Sequence, residues 1–221
     1  MRIMFMAALM ALVANSAAAA TLFKFDEFKR GEVIDAISKD GLNATVSATG
    51  GVDEAVAFNT KKPTGGDTDL AAPISDLNGN TKNFKKVVII QENNQRFRNG
   101  RFIPDDNAGG GSITFVFDSL IRFVSVDILD VEEPGVDIFL DGVLLMAAAG
   151  ESADHRFATA TNNVLRLGQE LRFEFEGSGA LDNLLVQAPQ SVSQVPLPAG
   201  GALLLIGLAG FGFFARRRRA A

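Results

Sequence analysis

The chain contains no cysteine, no tryptophan and no tyrosine, and it has a single histidine, His155. Without cysteine there can be neither disulfide cross-links nor thiol chemistry. One imidazole and no thiolate leave nothing from which to build a zinc site of several such ligands. A triad using histidine as base has one possible base, and His155 in Ala153-Asp154-His155-Arg156-Phe157 reads as a strand-edge surface residue. All 18 aromatic residues are Phe. Stacking of sugar rings on Trp or Tyr, which combine a flat face with a polar handle, is therefore not available. No stretch matches a G-x-S-x-G elbow, a P-loop or H-E-x-x-H. Gly109-Gly110-Gly111-Ser112 leads into a strand pattern, whereas a phosphate loop opens a helix.

Acid is missing from both ends. Arg2 and Arg216 to Arg219 are five of the 21 basic residues and have no acidic neighbours in the end segments, which leaves 16 basic against 26 acidic residues between them. Such an acidic body repels phosphate, which argues against nucleic acid as a partner. Hydrophobic content of 47% in 221 residues is enough for one folded domain with end segments rather than a disordered chain.

The end segments read as addresses. Arg2 is followed by eleven apolar residues, Ile3 to Val13, and then by Ala18-Ala19-Ala20. This is the pattern of a secretory signal peptide over residues 1–20, cut before Thr21 by signal peptidase. At the other end, Ala199 to Ala215 is continuously apolar or glycine, and no charged residue lies between Asp182 and Arg216. As a helix this run spans about 25 Å, which snorkelling arginine stems extend to bilayer thickness. Arg216, Arg217, Arg218 and Arg219 then form a membrane stop on the cytoplasmic side, which puts the body outside the inner membrane. Pro196 and Pro198 hold the preceding chain extended, a shape that proteases bind.

Val195-Pro196-Leu197-Pro198-Ala199, an apolar helix and an arginine block together resemble the VPLPA-type tail of the PEP-CTERM class of exported bacterial proteins. The resemblance covers about the last 27 residues. It implies sorting and processing at Val195 to Ala199 by an exosortase-type enzyme, and delivery to the cell surface or extracellular matrix. The Pro-Glu-Pro of the commonest version is absent, so the variant enzyme that reads Val-Pro-Leu-Pro-Ala is the one implied. The body also resembles exported domains found ahead of such tails, in "AFNT…TGGDTDL", "VVIIQE", "PDDNAGGGSITFVF", "ILDVEE" and "GSGALDNL". That resemblance implies a β-sandwich and names no reaction.

Between the addresses, residues 21–186 read as all-β, and residues 187–194 as a polar linker. Ile113, Phe115 and Phe117 alternate with polar or solvent-facing neighbours, as do Leu171, Phe173 and Phe175, and Val124, Val126 and Ile128. Lys86 to Glu92 reads as a more deeply buried strand. Asp141-Gly142 between apolar runs signals a two-residue hairpin. Further strands are expected at Leu22–Phe28, Ala44–Ala48, Ala55–Phe58, Val164–Leu167 and Ala180–Val186. About ten short strands without an amphipathic helix predict an antiparallel two-sheet sandwich or jelly roll, with a closed barrel as the alternative. Asn59 to Asn83 reads as a long loop, a kind that is usually functional, metal-bound or mobile.

Acids cluster in the turns: Asp67 and Asp69 beside Gly65-Gly66, Asp105 and Asp106 before Asn107, Asp130 with Glu132 and Glu133, Asp26 and Glu27 near the first strand, and Asp182 with Asn183 near the last. Carboxylates and carbonyls on bent backbone suit Ca²⁺, and by analogy with jelly rolls Asp26 or Glu27 with Asp182 would tie the first strand to the last. Asp, Asn and Gly also make turns for their own sake. The expected function is a non-catalytic, exported surface or matrix protein. The alternatives are a Ca²⁺-dependent module binding extracellular polysaccharide and, third, a secreted hydrolase using paired carboxylates.

Overall fold

Period-two alternation builds most of the observed strands. The computed structural model describes residues 20–76, 78–130, 135–149 and 157–189, which belong to one compact unit, Ala18–Pro189. In chain order the strands are β1 (Ala20–Phe23), β2 (Ala36–Lys39), β3 (Leu42–Thr49), β4 (Ala55–Asn59), β5 (Ile74–Ser75), β6 (Thr81–Lys82), β7 (Lys86–Ile90), β8 (Gly111–Leu129), β9 (Gly135–Leu140), β10 (Val143–Ala149), β11 (Phe157–Thr161), β12 (Gly168–Phe175) and β13 (Ala180–Gln187). Every pairing is antiparallel. Among the described residues there is no helix, hence none long and apolar enough to cross a membrane. The expected signal segment before Ala20 and the expected membrane helix 199–215 lie outside the described residues.

The stretches Gly111–Asp118 and Ile121–Asp130, expected as separate strands, are joined in the single 19-residue strand β8, which ends at Leu129. Its first half pairs with β3 and β12, and β12 continues to β9 and β10. Its second half pairs with β13 and β11, and β13 continues to β7, β4 and β1. Asp118, Ser119 and Leu120 are exposed where one set of partners gives way to the other. Beyond this point the inward phase is carried by Ile121 and Phe123, then Val126 and Ile128; Val124 is only half-buried. The slip coincides with register shifts in the β13–β8 ladder, since an extra residue on one strand moves its side chains to the other face.

The two strand sets bury one common core. Phe173 on β12 packs edge-on against Phe115 and Phe123, from the two halves of β8, each at 6.0 Å between ring centres. Phe23 on β1 reaches Phe117 at 6.0 Å. Such offset and edge-on ring pairs add about 0.5–1.5 kcal/mol each beyond area burial.

The deeply buried reading of β7 has a simple cause, because both of its faces are covered. Val88 and Ile90 enter the common core, while Val87 and Ile89 join a second cluster with Phe58, Leu70, Ile74, Phe84, Phe102 and Phe157. Leu70 and Ile74 come from the segment expected as an open loop, Asn59 to Asn83. That segment carries the small β5–β6 ladder and roofs the outer face of β4 and β7. Val164–Leu167, expected as a strand, is irregular and Leu165 is 78% exposed. The Asn162 side chain accepts the Val164 N–H at 2.9 Å and donates to the Phe123 carbonyl at 3.2 Å, a local turn that ends β11. The first strand is shorter than the expected Leu22–Phe28, because the chain turns back where Phe28 N–H bonds the Phe25 carbonyl at 3.2 Å.

Candidate functional site

Two groups of acidic residues emerge, one on a sheet face and one among loops. The first follows from strand register. Asp127 on β8 stands opposite Asp182 on β13 and opposite Thr159 on β11. Opposed residues in antiparallel strands share a face, so the three form a row beside Leu129, Ala180 and Phe157 of the second cluster. Asn183 would point to the other face by simple alternation. Its φ of +52° and the register shift between Asp182 and Leu185 turn it back. Its amide then donates to Asp127 Oδ2 at 2.7 Å.

Asp127 is 3% exposed and has further partners. The Lys82 ammonium on β6 donates to both carboxylate oxygens at 3.1 Å, and the Thr159 hydroxyl to Oδ1 at 2.5 Å. Lys82 Nζ also lies 4.6 Å from the Phe157 ring centre and 5.9 Å from that of Phe84. A cleft of about 170 Å³ opens here, lined by Asp26, Asp182, Lys24, Lys82, Lys85 and Asn183 among others. Asp182 is 4% exposed and its Oδ1 has no hydrogen-bond partner among the described residues. Burial pushes the Asp182 carboxyl up to about 7; Asp26 and Asp127 add to the rise, against the Asn183 N–H and Lys24.

The structure thus brings Asp26 and Asp182, two of the three residues expected to hold Ca²⁺, to one cleft. Glu27 is exposed and is not among the residues lining it. Asp26 is engaged by the Lys86 N–H and the Lys85 ammonium, each at 3.2 Å. The cleft balances carboxylates against lysines, so a cation there would compete with ammonium groups already in place. Among the described residues, no three acidic or imidazole side chains converge to hold a metal ion.

The second group lies where three loops meet. Asp67 Oδ2 accepts the Asp106 N–H at 2.9 Å, and Asp106 Oδ2 accepts the Gly179 N–H at 2.8 Å. The Ser178 hydroxyl donates to Asp130 at 3.1 Å. Asn93 donates its amide to Asp105. Burial raises Asp67 to about 7, opposed by the Asp106 N–H and reinforced by Asp105, Asp69 and Asp130. Asp106 is pushed well above the ordinary carboxyl value by burial, with Asp67, Asp130 and Asp69 adding to it against the Gly179 N–H. Asp105 is raised by burial and by Glu92. Five sequence clusters therefore contribute to two places: Asp67, Asp69, Asp105, Asp106 and Asp130 to one, Asp26 and Asp182 to the other.

Glu132, Glu133, His155, the sorting motif Val195 to Ala199 and the block Arg216 to Arg219 lie outside the described residues. Sequence reasoning passed over Asp127 and Lys82. The available signal was an acid inside the apolar run Phe123 to Leu129, at a position that shares a face with Leu129. Compared with known protein families and with curated proteins, the chain matches none.

Proposed function

We propose that the chain is a non-catalytic exported protein of the cell surface or extracellular matrix, delivered as a membrane-anchored precursor and processed at Val195 to Ala199. The single observation that carries this reading is the division of the sequence. Among the described residues the strands run from Ala20 to Gln187, and in the sequence the apolar runs flanked by arginine lie before and after that stretch. In support, Ala20 pairs with Gln187, so the two ends of the domain are neighbours. A body whose ends sit together needs only the short polar linker to be displayed at a membrane surface. We read the two strand sets that share β8 as the sheets of a jelly-roll-type sandwich, an architecture suited to surface display without a reaction of its own.

The test is the intact mass of the protein recovered from its own cells, with fractionation of the envelope. Removal of residues 1–20 and of the chain beyond the Val195 to Ala199 region is the expected result. A mass that retains Arg216 to Arg219 replaces processing with simple anchoring. A cytosolic protein with Met1 still attached overturns the reading.

A further inference from the structure

We propose that Lys82 and Asn183 are the two ends of an intramolecular amide cross-link whose formation Asp127 promotes. The inference goes beyond surface display and does not depend on it. It rests on one juxtaposition: an amine and a carboxamide held on the same buried carboxylate. Asp127 Oδ2 receives Lys82 Nζ at 3.1 Å and Asn183 Nδ2 at 2.7 Å, so the two nitrogens lie within about 6 Å of each other. Thr159 fixes the carboxylate from its other oxygen at 2.5 Å. The step requires rotation about the flexible lysine stem to carry Nζ from the carboxylate to the amide carbon of Asn183.

The surroundings suit the step. Phe84 and Phe157, 3% and 5% exposed, flank the amine and keep water from that side. Exclusion of water limits hydrolysis of the same amide. Asn183 is held at φ +52° on a bulge, a conformation that side-chain-bearing residues seldom adopt. The bulge is what aims its carboxamide at Asp127. Asn183 lines the cleft beside Lys82, which leaves the ammonia released from it a path to solvent.

The chemistry balances without an oxidant or cofactor. Asp127 takes a proton from the Lys82 ammonium. The free amine attacks Cγ of Asn183, and a new Nζ–Cγ bond forms. Asp127 returns the proton to Nδ2, the Cγ–Nδ2 bond breaks, and nitrogen leaves as ammonia, which carries off the remaining proton as ammonium. The roles are those of a nucleophile and a positioned acid–base group. Amide exchange is slow in water, but groups held in place reach effective concentrations of about 10⁵ M or more. One event per molecule is enough. The product would tie the β5–β6 ladder to β13 and close a loop of about 100 residues.

The experiment uses the full chain, purified folded, with Lys82→Arg, Asp127→Asn and Asn183→Ala alongside. The expected result is a mass deficit of about 17 Da in the parent protein, the mass of ammonia. Proteolysis should then release a branched peptide joining Lys82 to Asn183. The deficit and the branched peptide should be absent in all three variants, and the melting midpoint should fall by about 10 °C in Lys82→Arg, which keeps the positive charge. A folded parent protein, verified by circular dichroism, with full sequence mass and no branched peptide after days at 37 °C overturns the proposal. A 17 Da deficit without the branched peptide, as from a cyclised asparagine, overturns it equally.

Discussion

Asp106 and Gly179 are joined by one hydrogen bond, 2.8 Å from the Gly179 N–H to a carboxyl that is 6% exposed, across 73 positions of chain. The bond fixes the turn between β12 and β13 to the loop before β8. Burial and three neighbouring aspartates favour the protonated form of Asp106, and that form still accepts the N–H. Asp106→Asn, which keeps a carbonyl oxygen and carries no charge, should match the parent protein at pH 5 and exceed it at pH 8. Asp106→Ala leaves the N–H without a partner and should lose about 1–3 kcal/mol at pH 5. Urea unfolding at the two pH values measures both. Equal stability of the Ala and Asn variants would refute the role of the bond.

Stability should fall as pH rises from 5 to 8. Asp67 and Asp182 keep their protons up to about 7 in the folded state, whereas the ordinary carboxyl releases its proton near 3.8. Folding therefore binds protons over this window, and the resulting stability is complete below the unfolded value and lost as pH passes the folded one. Asp76, Asp118 and Asp141 act the other way. They are held below the usual range by the Asn80 side chain, the Asn43 side chain and the Glu170 and Gln169 N–H groups respectively. Their contribution is lost only below about pH 4. The urea midpoint should peak near pH 4–5, and Asp67→Asn with Asp182→Asn should flatten its decline. A midpoint that climbs from pH 5 to 8 would contradict both assignments.

Gly111 has φ +139°, and a Cβ placed there would meet the Thr49 carbonyl oxygen of the neighbouring strand. Gly111→Ala would therefore combine a disfavoured backbone with a clash against a paired strand. The expected loss is about 2 kcal/mol or more, or about 4 °C or more in melting midpoint. Gly142 has positive φ and open space around it, so Gly142→Ala should cost only the backbone term of about 1 kcal/mol. Scanning calorimetry should rank the two in that order.

Phe173 touches both halves of β8, so its loss should be felt throughout the core. Phe173→Ala should cost about 3–5 kcal/mol by lost burial and residual cavity. Leu165→Ala, at a side chain that is 78% exposed, should stay within about 0.5 kcal/mol of the parent protein. Comparable losses from the two would mean that Phe173 does not bridge the strand sets.

Part of this structure is legible in local pattern. Asp141-Gly142 forms the hairpin that its residue types announce, with φ +49° and +70°, pairing Val143 with Leu140 and Leu144 with Phe139 before a register shift at Leu145. Asp141 also accepts the Gln169 and Glu170 N–H groups at 3.0 and 2.9 Å, a use that only the neighbouring β12 reveals. Leu171, Phe173 and Phe175 are buried as their alternation requires. Asn59 to Asn83 misleads because its two anchoring apolar residues, Leu70 and Ile74, follow no period. They are buried by the sheet face they cover, not by a pattern of their own.

Sequence alone determined the all-β class, the hairpin, the inward faces of β12 and of the first half of β8, and the acidic surplus of the middle of the chain. These depend on neighbours one to three positions apart, and residue type decides them. Tertiary structure decided which acids meet. Asp127 stands beside Lys82 and Asn183, and Asp106 beside Asp67 and Gly179. The partners lie 39 to 73 positions apart in chain. Strand register, together with one bulge that turns Asn183 back to the face of Asp127, assembles the first group and the meeting of loops the second, and neither leaves a mark in the side-chain pattern of one segment taken alone.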